Sequence, residues 1–196
     1  MNQTHFSDLN LAKIVASLRQ AALPSGPAEI LQACAEMKQR GIIRDYALGG
    51  AFGAMRYTEP FASFDANIFY IPSGSGFDAG IGDIFKHLES KGGQITGDGY
   101  VLVGSMPAQF LGASPMIAEG ISKATEEDVA GVPVKVLPLE YLVADAVRLG
   151  GQKYRDRVRL MMQQGNPDES KLKDVLTRYN LLTRFNLMME GIRRDD

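Results

Sequence analysis

The residues best placed to do chemistry lie in one stretch, ALGGAFGAMRYTEPFASFDANIFYI, from Ala47 to Ile71. Its second half, FDANIFYI, reads as a buried strand interrupted by a carboxylate, Asp65, and an amide two positions later, Asn67. Side chains alternate across a strand, so Ser63, Asp65 and Asn67 share one face while Phe64, Ala66 and Ile68 share the other. An ionised acid on a buried strand needs a cation, a group of donors or a metal beside it. An aspartate with a second oxygen ligand two residues on suits a divalent ion such as Mg2+, which takes hard oxygens from one or two carboxylates and completes its shell with phosphate and water. Upstream, the paired glycines Gly49 and Gly50 would let backbone N–H groups approach a phosphate with no side chain in the way. Plainer readings stand beside these: Asp65 pairs with Arg56 or caps a loop at the sheet edge, and the glycines make a tight turn.

Periodicity shows which elements would position these groups. Leu11, Ile14, Val15 and Leu18 recur at the helical period, and LPSGPAE separates them from a second helix that turns Ile30, Cys34 and Met37 inward, starting near Ser25 and stopping near Gly41. A strand at DYAL, the Gly49–Gly50 turn, a short helix in AFGAMRY and the FDANIFYI strand follow. Beyond the PSGSG loop, Ile81, Ile84, Phe85 and Leu88 mark a helix closed by Gly92 and Gly93. Short strands flank GDG at Gly97 to Gly99, and SMPAQFLG adds another. SPMIAEGISKA reads as a helix and GVPVKVLP as a strand, while PLEYLVADAVRLG reads as a helix burying Leu139, Leu142, Val143 and Val147. The chain from Gln152 to Ile192 is expected to be helical, broken at GNPDE. The class is therefore α/β (α+β), with a mixed central sheet. The expected division is N-terminal helices (1–41), a core (42–150) and a C-terminal helical region packed on it (151–196).

A hydrophobic share of 45% and a charged share of 22% are those of a soluble globular chain. The single cysteine, Cys34, cannot form an internal disulfide, and with only His5 and His87 the chain cannot assemble a Cys/His zinc site. A reduced, cytoplasmic setting is expected. The polar start MNQTHFSDLN lacks a signal-peptide pattern, and no apolar run is long enough for a membrane span. A net charge of -2 exerts no global pull on nucleic acid and leaves only a local basic face for that purpose.

The order of a GG turn, a short helix of small and apolar residues, and a strand bearing Asp65-x-Asn67 resembles the GG to D-x-D pattern of the nucleotidyltransferase fold, shared by polymerase-beta-like enzymes and minimal nucleotidyltransferases. Within it, the sequence is similar to the bacterial group related to toxin components of abortive-infection toxin–antitoxin pairs. TEPFASFDANIFY resembles that group's segment from the glycines to the metal strand, and MPAQFLG its following strand. GVPVKVLPLEYLVADAV resembles a strand leading into a helix, and YRDRVRL a lysine or arginine plus aspartate signature on the next helix. The similarity runs from about Tyr46 to Leu182.

The resemblance implies transfer of a nucleoside monophosphate from a nucleoside triphosphate to a hydroxyl, with Mg2+ held at Asp65 and Asn67. Gly49, Gly50 and Ser63 would lie along the triphosphate. The chain departs from the pattern where Asn67 replaces the second carboxylate and Gln109 stands where a third acid is usual. A catalytically silent member, binding a nucleotide or a partner protein as a toxin–antitoxin component would, is the alternative. The two separate on whether Asp78, Asp83 or Asp98 folds back beside Asp65.

Other residues carry competing expectations. Lys153, Arg155, Arg157 and Arg159 read as a solvated helix face or as contacts to phosphate or RNA, with Asp156 as a local ion-pair partner. His87 is expected on the surface and Cys34 as a packed thiol. Met161, Met162, Met188 and Met189 read as helix packing or as a C-terminal contact surface for a protein partner.

Overall fold

The structure is a computed structural model and describes residues 26–61, 63, 65–74, 80–103, 106–129 and 132–195. The helix expected around Leu11 to Leu18, Ser75 and Gly76 of the PSGSG loop, and Asp78 lie outside the described residues.

Helix α1 (Gly26–Gln39) buries Ile30, Cys34 and Met37 as their spacing requires, and the chain turns at Gly41 in the left-handed region (φ 70°). Strand β1 (Ile43–Gly49) runs into the short helix α2 (Gly50–Ala54), and β2 (Ala66–Pro72) returns beside β1. Asp65, expected inside the strand, sits one residue before β2. The amphipathic α3 (Ile81–Ser90) follows, burying Ile84 and Leu88. Next come β3 (Gln94–Ile95), β4 (Tyr100–Val103) and β5 (Met106–Gly112). These strands form one sheet in the order β1-β2-β5-β4-β3, in which β2 and β5 are parallel and every other neighbouring pair is antiparallel. The expected mixed sheet is therefore present.

Helix α4 (Pro115–Lys123) starts where Ser114 accepts the N–H of Ile117 at 3.4 Å. GVPVKVLP was expected to form a strand. That strand is present as β7 (Val132–Lys135), and the structure adds an unexpected β6 (Glu126–Val129), which pairs with it as a separate antiparallel hairpin. The acidic start of β6 concealed it, because its carboxylates serve as ion-pair partners: Glu127 binds Arg56 and Glu126 lies 3.7 Å from Lys38. Arg56, the partner suggested for Asp65, is thus engaged with Glu127.

Helices α5 (Leu139–Leu149), α6 (Gln152–Gln164), α7 (Glu169–Arg178) and α8 (Leu182–Asp195) complete the chain. The helical tail breaks a second time, after α7, where Asn180 takes φ 56°. Among the described residues no helix is long and apolar enough to cross a membrane.

Each face of the sheet carries its own core. Ile68, Tyr70, Ala108 and Phe110 pack toward α1 and α3, and Ala47 and Phe69 pack toward α4 to α8. Met161 is fully buried in the second core, with Met162, Met188 and Met189 packed against it, so the methionines of the tail serve helix packing.

The expectation of a surface His87 is overturned, since only 5% of the residue is exposed. It lies on the face of α3 turned to α1, with Nδ1 3.1 Å from Arg40 Nη1 and Nε2 3.6 Å from a Glu36 carboxylate oxygen. Burial, aided by Arg40, lowers its pKa below the ordinary histidine value.

Gly49 marks the tightest backbone approach in the sheet. A Cβ there would meet the Phe69 ring at 2.4 Å, although the Gly49 backbone itself is unstrained at φ -129°. Gly49→Ala should therefore destabilise by overpacking, by about 1–3 kcal/mol. Thermal unfolding followed by circular dichroism reads this as a lower Tm; an unchanged Tm would show that Phe69 yields freely.

Candidate functional site

Strand pairing aligns one row of residues across the sheet. Gly49 pairs with Asn67, Asn67 with Gln109, and Gln109 with Tyr100. Two residues further along the same face, Phe69 pairs with Leu111. The side chains of Asn67, Gln109, Tyr100, Phe69 and Leu111 floor a cavity of about 330 Å³, with Asp65 and Gly50 at one end. Its opposite wall comes from α5 and α6 and supplies Asp145, Arg148, Leu149, Lys153, Tyr154 and Arg157.

Among the residues expected from sequence, Gly50, Asp65 and Asn67 meet in this cavity. The Asn67 amide donates to Asp65 Oδ2 at 3.1 Å. Gly50 is required twice over. Its φ is 59°, and a Cβ would fall 2.7 Å from Asn67 Nδ2, so only glycine lets that amide lie against the turn. Gly49 lies behind the floor against Phe69, and the Ser63 hydroxyl donates to the Asp65 main-chain oxygen at 3.4 Å; neither lines the cavity.

Of the candidate replacement acids, Asp83 and Asp98 lie elsewhere, and Asp78 is outside the described residues. Asp83 is exposed on α3 beside Lys86, and Asp98 sits in the β3–β4 turn bonded to Thr96. The four basic residues of α6 divide. Lys153 and Arg157 line the cavity, whereas Arg155 donates to Gln152 at 2.6 Å and Arg159 to the Ile192 carbonyl at 3.4 Å. Asp156 is exposed and accepts from Gln152 at 2.8 Å.

Tyr100, Asp145 and Arg148 lie outside the expected set. The signal for Asp145 was present in EYLVADAV, an acid within a run of otherwise buried helix positions, the same anomaly that marks Asp65 on its strand. The Asp145 side chain is 7% exposed, and its Oδ1 accepts Arg148 Nε at 3.0 Å and Nη2 at 2.8 Å. Burial nevertheless raises its pKa above the ordinary carboxylate value, outweighing the pull of Arg148 and Arg157. Across the cavity, burial lowers the Arg157 pKa from its usual value, opposed by Tyr154 and by the fields of Asp65 and Asp145. The Arg157 guanidinium stands over the rings of Tyr154 and Phe61, 5.4 and 5.9 Å from their centroids.

The donor set does not fit a divalent ion held by the protein alone. The floor supplies one carboxylate, Asp65, which already accepts the Asn67 amide, and Gln109 is neutral. Asp145 is committed to Arg148, and three cations surround the space. Among the described residues no three His, Cys, Asp or Glu side chains group as metal ligands.

This architecture is the nucleotidyltransferase fold, in which a mixed sheet carries the GG turn and the acid-bearing strand end beneath a helical layer. The chain is similar to the antibiotic-resistance factor ANT(2'')-Ia. Its solution structure matches with a TM-score of 0.51 at 14% identity over 85% of this chain and 97% of that one. Its crystal structure in complex with adenylyl-2''-tobramycin matches with a TM-score of 0.53 at 15% identity over 81% and 98%. An antigenic nucleotidyltransferase-like protein from Paracoccidioides brasiliensis aligns at 0.48 and 14% identity over 81% and 91%. No family profile matches the sequence, and no curated relative does.

Asp145 makes a pH-dependent contribution to stability. Its folded pKa lies above the unfolded value of about 3.9, so the folded protein keeps a proton that the unfolded chain has already released. The contribution is full below that unfolded value and is lost as pH rises through the folded one. The stability of the wild type relative to Asp145→Asn should therefore fall as pH is raised through the carboxylate range. Paired denaturation curves at stepped pH measure it, and a difference that grows with pH would contradict the assignment.

Proposed function

We propose that the cavity between the sheet and helices α5 and α6 binds a nucleoside triphosphate, and that the chain is a nucleotidyltransferase-like protein that transfers a nucleoside monophosphate to a hydroxyl acceptor. The observation that carries this reading is the facing of Gly50, Asp65 and Asn67 on the floor by Arg148, Lys153 and Arg157 on the wall, within one space. The cations match the negative charge of a polyphosphate. A fold neighbour, ANT(2'')-Ia, holds an adenylylated molecule, adenylyl-2''-tobramycin, in its crystal structure.

In this reading Asp65 takes the proton of the attacking hydroxyl, Asn67 fixes the carboxylate through its 3.1 Å hydrogen bond, and pyrophosphate leaves from the α-phosphorus. Residues 42–150 form the nucleotide-binding core, and the helices of 151–196 complete the wall. A second reading, a silent nucleotide binder, is favoured by the neutral pair Asn67 and Gln109, register partners on the adjacent strands β2 and β5.

Thermal unfolding with each of the four ribonucleoside triphosphates tests binding. Saturation at a hundred times Kd should add about 2.7 kcal/mol of stability. An unshifted Tm with all four at millimolar concentration would contradict the nucleotide reading. Pyrophosphate release in the presence of hydroxyl-bearing acceptors then separates transfer from silent binding.

A further inference from the structure

Two cations of the cavity, Lys153 and Arg157, keep their N–H groups free of ion pairs among the described residues; Lys153 is exposed, with the Tyr154 ring 5.9 Å away, whereas Arg157 is half-buried. Arg148 spends two N–H groups on Asp145, and Asp65 accepts the Asn67 amide. The Arg157 guanidinium makes no ion pair among the described residues, and its buried Nε has no hydrogen-bond partner there. The carboxylates of Asp65 and Asp145 act on it only through the field across the cavity. The flanking rings of Tyr154 and Phe61 hold the cation in place without using its N–H groups. A half-buried donor left in this state is stabilised by any anion that enters, and a phosphate matches the planar fork of a guanidinium with two parallel hydrogen bonds.

Resting on the nucleotide reading of the cavity, the geometry points to Arg157 as the direct receptor for the polyphosphate, gripping it without a bridging divalent ion. The charges of the site agree. A metal bridge needs negative charge on the floor, whereas the floor beside Asp65 presents the neutral Asn67 and Gln109, and the wall is cationic. Asp65 is then a repulsive neighbour of the bound phosphates, and its charge opposes binding.

Calorimetric titration of the full chain with inorganic tripolyphosphate and with each ribonucleoside triphosphate, in EDTA and in Mg2+, tests this. Tripolyphosphate and at least one nucleotide should bind in EDTA at least as tightly as in Mg2+, because the ion competes with Arg157 for the phosphate oxygens. Arg157→Gln should weaken binding about tenfold or more, and Arg157→Lys should fall between. Asp65→Asn should bind as tightly as the wild type or more so. If Arg157→Gln fails to fold, Arg157→Lys and Asp65→Asn carry the test. Binding that appears only with Mg2+, or is lost in Asp65→Asn, would overturn the direct grip and leave the nucleotide reading standing. Wild-type affinity in a folded Arg157→Gln would do the same. Tripolyphosphate binding without any nucleotide would uphold Arg157 and overturn the nucleotide reading, and no binding in either buffer would overturn both.

Discussion

A polar row crossing a sheet face that is otherwise packed against helices has to be met by charge from the opposite layer. Here the row runs from the Gly49–Gly50 turn through Asn67 and Gln109 to Tyr100, and the charge comes from Asp145, Arg148, Lys153 and Arg157. Further along the same face, Phe69 joins the apolar cluster of α4 to α8. The cavity is where that packing stops, because amides and a carboxylate cannot be covered by leucine and valine without losing their hydrogen-bond partners.

The helical wall carries an electrostatic cost that the fold does not need. Asp145 would be more easily buried as a neutral side chain, and its ion pair with Arg148 does not restore an ordinary pKa. Arg157 is likewise lowered by desolvation without gaining an ion pair among the described residues. The other ion pairs serve packing. Glu119 gathers Arg178, Lys123 and Tyr179 where α4 meets α7, and Asp45 gathers Lys38 and Lys135 where β1 meets α1 and the hairpin. Asp145 and Arg157, whose pKa values burial moves in opposite directions, both line the cavity, and such shifted groups in a cleft support the proposed binding site.

Much of the floor could be read from the chain. The alternation in FDANIFYI placed Asp65 and Asn67 on one face, and the small residues after Gly49 required a tight turn, both consequences of local geometry. Gly50 in the left-handed region and against Asn67 bears that out. The wall was much less legible, because a helix bearing KYRDRVR carries basic residues on two opposite faces and only tertiary packing decides which face turns inward. Lys153 and Arg157, four residues apart, share the face that lines the cavity, while Arg155 and Arg159 share the opposite face and bond within the helical layer; the 3.6-residue period groups them in these pairs but does not say which pair turns inward. His87 and the β6–β7 hairpin misled for a related reason. Each hides polar groups by pairing them with residues distant in sequence, Arg40 and Arg56, and a polar segment read singly looks exposed.

In the proposed reading, polyphosphate binds between the sheet row and helix α6. An amide NMR titration with tripolyphosphate tests it most directly, because the side-chain NH2 groups of Asn67 and Gln109 and the backbone of Gly50 report from the floor and Lys153 from the wall. Perturbations clustered on those four residues are predicted. Perturbations clustered instead in the groove of about 260 Å³ lined by Glu29, Glu36 and Lys91, or none at all, would contradict the claim.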